Sequence, residues 1–213
     1  MAKLPQLKTT PVPEYQKRRL LDWFQERHIR LIPCDEENFC PEKSAQSEEK
    51  ERGSHFKELV SAYDTNVKVG QVRLLSPQLI ASRMAHVLVL SEWTVDEKGN
   101  KTFLVVPFGE YSVAATQGEL ETNSSNNMMK VLQCWLARTV NQEKLELSWI
   151  LKEEMDQHTM KEAKLVWKSS TFGREIPEEL QEKIGCRIAR EDDPRIQYQE
   201  EELRLWANFS SLT

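Results

Sequence analysis

The sequence predicts an α+β protein in which a small β-barrel lies between helical N-terminal and C-terminal segments. Four of the seven glycines fall between residues 70 and 118, where they alternate with short runs rich in β-branched and aromatic residues. Short strands at this spacing favour a strongly bent sheet or a barrel. Both flanks are instead rich in charge, with apolar residues at helical spacing. The strand-like runs are GQVRLLS, HVLVLSEW, TFLVVPF, YSVAAT and VLQCWLARTV.

The apolar hairpin at residues 86–110 is predicted to be the core of the fold. Its two apolar runs enclose a charged turn at residues 96–100. Residues 87–90 are continuously apolar, which is typical of a strand covered on both faces. We therefore assign the barrel to residues 69–150 and expect the flanking helices to pack on it.

The N-terminal segment, residues 1–68, is predicted to be helical and to pack on this core. Pro13 can open a first helix, because proline is well suited to the first helical turn. A second helix is predicted over residues 42–63. The apolar positions with helical spacing are Leu20, Leu21, Trp23 and Phe24 in the first helix, and Phe56, Leu59, Val60 and Tyr63 in the second.

The C-terminal segment, residues 151–213, is predicted to be an acidic helical extension of the same domain. The run LELSWI just before it fits either an edge strand or the start of a helix. A later helix is predicted to begin at Pro194, with Asp193 as its N-cap. Its apolar side is predicted to hold Ile196, Leu203, Trp206 and Phe209, and its run Glu200–Glu202 to be solvated.

The distribution of charge argues against a generally basic nucleic-acid-binding protein. The chain of 213 residues has a net charge of −5, and residues 141–213 hold 11 basic and 16 acidic side chains. Proteins that bind polyanions normally present a basic face, because neutralising phosphates supplies much of the affinity. No third of this chain is basic overall, which leaves room only for a local patch of arginine or lysine.

The sequence predicts a cytoplasmic protein with no membrane partner. No apolar run reaches the roughly 18 residues of a membrane-spanning helix, and the N-terminus lacks the apolar core of a secretory signal. The four cysteines are scattered along the chain, so we expect reduced thiols.

Common catalytic and cofactor motifs are absent from the sequence. It contains no GxGxxG, GxxxxGK[ST], GxSxG or HExxH. The four histidines are far apart and lack partners at a recognisable spacing, and Cys34 and Cys40 have no complementary pair of zinc ligands. We therefore predict no metal and no cofactor.

The central region resembles the PemK/MazF family of toxin-like endoribonucleases. The resemblance covers residues 69–141 and lies in the order and spacing of VGQVRLL, SRMAHVLVLSEW, TFLVVPFGE and VLQCWLARTV. It implies a small SH3-like barrel and a place in a toxin–antitoxin system of a bacterial-type cytoplasm. It also implies an arginine before the second strand, which helps to neutralise a transferring phosphate, and a Ser/Thr after the Val-Pro strand.

The catalytic residues implied by the resemblance are only partly present. Arg83 matches the arginine, but Met84 stands where the family has proline. Phe108 and Gly109 stand where the hydroxyl residue is expected, and Ser112 is out of register. Arg83 is therefore the one catalytic candidate, and a solvated or salt-bridged residue at a strand edge is the alternative interpretation of it.

Four residues are candidates for binding: Arg83, Trp93, Arg138 and Thr139. Arg138 and Thr139 match the family's Arg-Thr, although Arg138 could instead form an ion pair with Glu110 or Glu119. Trp93 is expected to be partly exposed at the mouth of the hairpin and available to a partner. The polar run at residues 118–130 is expected to be a flexible binding loop.

Three functions remain open at this point. The first is a non-catalytic barrel protein that binds RNA or a protein partner. The second is an active ribonuclease that uses Arg83, and the third is an interaction or scaffold protein unrelated to toxins. The sequence leaves the oligomeric state open, a dimer included.

Overall fold

The fold combines helices with antiparallel strands, which confirms the predicted α+β class. A computed structural model describes residues 13–31, 60–62, 66–75, 85–95, 99 and 101–210. The helices are α1 (Glu14–Leu31), α2 (Gln142–Glu146), α3 (Gln157–Phe172) and α4 (Pro194–Ser210). The strands are β1 (Val60–Ala62), β2 (Gln71–Leu75), β3 (Ala85–Val95), β4 (Lys101–Pro107), β5 (Glu119–Glu121), β6 (Val131–Gln133), β7 (Arg138–Asn141) and β8 (Trp149–Glu154).

Six strands form one antiparallel sheet in the order β1-β8-β2-β3-β4-β7. Strands β2, β3 and β4 follow one another as a meander, and β5 pairs with β6 in a separate two-stranded sheet. Within the described ranges β1 and β7 are the two edges of the large sheet, and no closed barrel is found. The predicted barrel is therefore corrected to an open sheet, because β7 pairs with β4 alone in this part of the chain.

The large sheet is covered on both faces, as the alternate residues of its central strand β3 show. Leu88 and Leu90 pack on one face, against α3 and the small sheet, while Val87 and Val89 pack on the other, against α2 and Trp206. Residues 87–90 have no exposed surface. The continuous apolar run is thus a strand buried on both sides, as predicted. We call the α3 side face A and the α2 side face B.

The run LELSWI matches neither of its predicted alternatives in full. Helix α2 ends at Glu146 within the run, and the strand β8 that begins at Trp149 lies between β1 and β2 and is not an edge strand. Residue 150, where the sequence places the end of the central segment, lies inside β8. Helix α3 starts after the N-cap Asp156, whose carboxylate accepts a 2.9 Å hydrogen bond from the Thr159 amide.

Several segments adopt a structure that the sequence does not predict. Residues 60–62, at the end of the predicted second helix, form the edge strand β1, and most of that helix lies outside the described residues. The strand-like run YSVAAT forms only a single bridge, at Thr116. The expected loop at residues 118–130 holds β5 and a 3₁₀ turn, because Leu120 and Met129 are drawn into the core.

Helix α1 fully buries one residue of its predicted apolar stripe, and Leu20 is half-buried. Trp23 is fully buried, and its ring contacts Tyr198 edge-on at 5.9 Å between centroids. Leu21 and Phe24 are exposed. The stripe is therefore narrower than predicted, since Arg19 takes a place on the buried side and pairs with Glu121.

Helix α4 begins as predicted but buries a different face. The Asp193 carboxylate accepts a 3.0 Å hydrogen bond from the Arg195 amide. Trp206 is buried as expected, whereas Leu203 is exposed, and the side chain of Phe209 lies outside the described residues. The buried side is largely polar. It consists of Arg195, Tyr198, Glu202 and Trp206.

We predict that acid destabilises the fold through His86 on β3. Burial lowers the pKa of His86 from 6.5 to about 4. Between about pH 6.5 and pH 4, His86 is protonated in the unfolded chain but stays neutral in the native state. The free energy of unfolding therefore decreases as the pH falls through this range. Between pH 7 and pH 4 the loss should be about 3 kcal/mol of unfolding free energy. Urea unfolding of the protein and of His86→Gln at both pH values checks it, and equal losses in both proteins would contradict it.

Candidate functional site

The structure describes three of the four predicted site residues. Arg83 lies outside the described residues. Arg138 stands opposite Val105, a residue of face B, and Thr139 stands opposite Leu104, a residue of face A. Because side chains at directly paired positions share a face, Arg138 and Thr139 point to opposite sides of the sheet.

Arg138 is half-buried, and no carboxylate among the described residues pairs with it. In the described part of the chain it makes no ion pair, and its Nε is buried without a hydrogen-bond partner. The carboxylate of Glu119, one of its two predicted partners, is bound by other groups. The predicted Arg138–Glu119 pair is therefore wrong.

Trp93 is exposed as predicted, with 46% of its surface accessible, and it is not alone. Its ring meets Trp167 of α3 edge-on at 5.5 Å between centroids, and Trp167 meets Phe172 in the same way at 5.7 Å. Phe172 is 61% exposed. These three rings form a continuous surface on face A, which we call the aromatic strip.

Helix α3 places positive charge beside the aromatic strip. Lys161, Lys164 and Lys168 follow one another at intervals of three and four residues, so they lie along one side of the helix, and we call them the lysine row. Lys164 precedes Trp167 by one turn, and Lys168 precedes Phe172 by one turn. None of the three lysines makes an ion pair with any described residue.

The one acidic residue of α3 does not offset this charge at the surface. Glu162 is buried, and its Oε1 lies 2.7 Å from Lys183 Nζ and 3.1 Å from His158 Nε2. The exposed side of α3 is therefore purely basic among its charged residues. This is the local cationic patch for which the regional charge count leaves room.

A buried polar cluster joins α4 to the small sheet behind the strip. Tyr198 donates a 2.8 Å hydrogen bond to Glu119 Oε1, and Gln133 Nε2 donates to Tyr198 at 2.7 Å and to Glu202 at 3.1 Å. The amides of Ala115 and Thr116 donate to Glu119 Oε2. Tyr198, Gln133 and the two amides thus help to hold the carboxylates of Glu119 and Glu202 in place.

The cluster is closed to substrates. Glu119, Gln133, Tyr198 and Glu202 are each no more than 5% exposed. Burial raises the pKa of Glu119, although its hydrogen bonds act in the opposite direction, and burial together with the nearby Glu119 raises the pKa of Tyr198. Because no substrate can touch these groups, we assign them to holding α4 on the core and not to acid–base catalysis.

Arg73 of β2 is a second buried polar centre with a structural role. Its guanidinium donates to the carbonyls of Leu145 and Asn66, at 2.7 and 3.2 Å, and to the side chains of Gln71 and Ser148. These bonds tie the connection after α2 to the sheet.

The described ranges offer no place for a metal ion. They hold no group of three or more His, Cys, Asp or Glu side chains that could bind one. Cys134 and Cys186 are free and buried, and burial raises the pKa of both thiols. No helix in the described part of the chain is long and apolar enough to cross a membrane.

Comparison with known proteins adds no relative to this picture. No family model, curated protein or solved structure matches the chain. The function must therefore be argued from the geometry of the site itself.

Sequence reasoning found one member of the aromatic strip and missed the other two. Trp167 and Phe172 lie in a segment that the sequence assigns to an acidic extension. The contact of Trp167 with Trp93 joins two segments that are far apart in the chain, so the sequence pattern does not show it. A local signal was present, since MKEAKLVWK carries three lysines at helical spacing and one glutamate.

Proposed function

We propose that this protein binds single-stranded RNA on face A without cutting it. One observation carries the proposal: the aromatic strip of Trp93, Trp167 and Phe172 runs beside the lysine row of α3. Proteins that bind single strands combine aromatic rings, on which bases stack, with a cationic track for the phosphates. The two components stand together here on a surface made of regular elements.

The energetics favour a single strand over a duplex. Stacking of one base on one aromatic side chain contributes about 1–3 kcal/mol, and it requires an unpaired base with a free face. Three lysines neutralise few phosphates, so the salt dependence should be shallow compared with that of a strongly basic protein. The net charge of −5 is compatible with this, because the basic patch is local.

The proposed kinship with PemK/MazF proteins draws support from the arrangement of the strands. The four segments that carry the resemblance contain β2, β3, β4 and β7, and these are neighbours in the sheet in that order. We propose that they are an opened relative of the SH3-like barrel. Thr139 would add a hydroxyl on face A, on the same side as Trp93.

A ribonuclease activity is the competing function, and it has less support. The position after the Val-Pro strand holds Phe108, and the nearby Ser112 hydroxyl donates a 3.0 Å hydrogen bond to Glu26 of α1. That bond gives Ser112 a role in holding α1. Cleavage of the RNA during the binding assay is the outcome that would favour the nuclease and overturn the non-catalytic proposal.

The proposal predicts that shortening the strip weakens RNA binding. Phe172→Ala and Trp93→Ala should each raise the Kd for a fluorescently labelled, mixed-sequence RNA of 15 nucleotides by about tenfold, because one stacked base is lost. Fluorescence anisotropy at 50 and 200 mM NaCl measures the Kd, and a denaturing gel shows whether the strand stays intact.

The matched control is Leu203→Ala, since Leu203 is an exposed apolar residue on α4 that belongs to neither the strip nor the lysine row. Its Kd should stay within twofold of the starting protein. If the protein does not bind RNA, or if all three variants lose affinity equally, the strip is not an RNA-binding surface. A protein partner would then be the hypothesis to pursue.

A further inference from the structure

A separate cleft of about 290 Å³ lies beside the C-terminal end of α3. Its walls come from residues 116–118, from Trp135, from the C-terminal end of α3 and from the segment that follows Gly185. None of Trp93, Trp167 and Phe172 is among the residues that line it. The cleft is therefore distinct from the aromatic strip but is reached from the same helix.

Trp135 forms a fixed aromatic wall of this cleft. Its Nε1 donates a 3.3 Å hydrogen bond to the buried Glu119, which sets the orientation of the indole ring. Its amide donates to the carbonyl of Gly118 at 3.2 Å. A Cβ on Gly118 would lie only 2.7 Å from the Trp135 Cβ, so glycine is required for this close approach. The ring is thus held in place before any ligand arrives, which lowers the entropic cost of binding.

The polar groups of the cleft suit an anion with hydrogen-bonding edges. Arg187 is the one charged side chain among the described residues that line it, and no carboxylate is present there. The hydroxyls of Ser169 and Ser170 and two glutamine amides surround it. A guanidinium is well matched to phosphate oxygens, and amides and hydroxyls pair with the edges of a base.

One buried group of the wall is unsatisfied within the described structure. Thr116 is 3% exposed, and its Oγ1 has no hydrogen-bond partner. Buried hydroxyls are normally hydrogen-bonded, and leaving one without a partner is costly. A polar ligand in the cleft, which Thr116 lines, could supply the missing partner.

We propose that this cleft binds one nucleotide, with the base against Trp135 and the phosphate on Arg187. The volume suits a ligand of this small size. The nucleotide could be a free nucleoside monophosphate or the 5′-phosphorylated end of an RNA strand, which share this chemistry. In its second form the inference rests on the proposed RNA binding and extends it to recognition of the strand end.

The test compares ligands of both kinds with matched arginine variants. Isothermal titration measures binding of AMP, CMP and inorganic phosphate to the full chain, and anisotropy compares one RNA sequence with and without a 5′-phosphate. The variants are Arg187→Ala and, as control, Arg190→Ala, which removes another exposed arginine from the same segment outside the cleft.

We expect a nucleoside monophosphate to bind with a Kd below 1 mM, a value typical of weak small-ligand sites. Arg187→Ala should weaken this binding at least fivefold, and Arg190→Ala less than twofold. Preference for the phosphorylated strand, lost in Arg187→Ala, would assign the site to strand ends. Binding of AMP with equal affinity for the two strands would assign it to free nucleotides.

Three results would overturn the inference. They are no binding of either ligand type, equal binding by Arg187→Ala and the starting protein, or binding of inorganic phosphate as tight as that of AMP, which would leave Trp135 no role. Phe172→Ala separates this inference from the proposed function. That variant should lose affinity for RNA but bind AMP unchanged, so either proposal can fail while the other stands.

Discussion

Gly185→Ala is expected to destabilise the protein by about 4 kcal/mol or more, the largest effect that we predict for a single added methyl group. A Cβ at this position would lie 2.2 Å from the Thr116 amide nitrogen and 2.4 Å from the Ala115 carbonyl carbon. Both atoms belong to backbone, and the bridge between Thr116 and Cys186 and a 3.1 Å hydrogen bond from the Gly185 amide to the Thr116 carbonyl hold the two segments together. A typical domain has only about 5–15 kcal/mol of stability, so a substantial fraction of the variant molecules should be unfolded.

Urea unfolding followed by circular dichroism checks this prediction, with the yield of folded protein as a second readout. Gly173→Ala is the matched control, since Gly173 has φ of +65° but nothing within 4 Å of its added Cβ. That variant should cost only about 1 kcal/mol of backbone strain. Comparable losses of unfolding free energy in the two variants would show that the space beside residue 185 accommodates a methyl group.

Trp23→Ala is the second large effect, with an expected loss of about 3–5 kcal/mol. The side chain is fully buried on α1, and its ring makes edge contacts with Tyr111 and Tyr198. Removing it leaves a cavity between α1 and α4, because the two tyrosines are also in contact with each other and cannot both close the gap. The free energy of unfolding in urea measures the loss.

Phe24→Ala provides the comparison for this substitution. Phe24 follows Trp23 in the same helix but is 40% exposed, so its truncation should cost less than about 1 kcal/mol. If both variants unfold at the same urea concentration, α1 is not docked through Trp23. An unchanged midpoint for Trp23→Ala alone would lead to the same conclusion.

The apolar strands were the predictable part of the fold. Residues 87–90 have no polar member, and only a strand between two covered faces accommodates such a run, so their burial followed from the sequence. The sequence pattern did not reveal, however, that the sheet stays open and does not close into a barrel. Whether β7 pairs onward depends on long-range contacts that a local pattern does not contain.

Helix α4 shows why the polar part was mispredicted. Tyr198 and Glu202 belong to a run that is rich in charge, and such runs are usually solvated. They are buried because Glu119 and Gln133, far away in the chain, supply the matching hydrogen-bond partners. No single segment reveals that match. The same holds for the candidate site, where Trp93 was identified but the ring beside it was not.

The contacts of α1 also order events during synthesis of the chain. The Cys186 thiol, which donates to the Gln16 carbonyl, lies 170 residues further along, and Tyr198 comes later still. At about 5–20 residues per second, Cys186 is made roughly 8–34 s after Gln16. During that interval the indole of Trp23 can meet Tyr111 but lacks Tyr198, the second of its tyrosine neighbours. Docking of α1 can therefore be completed only after most of the chain has been made.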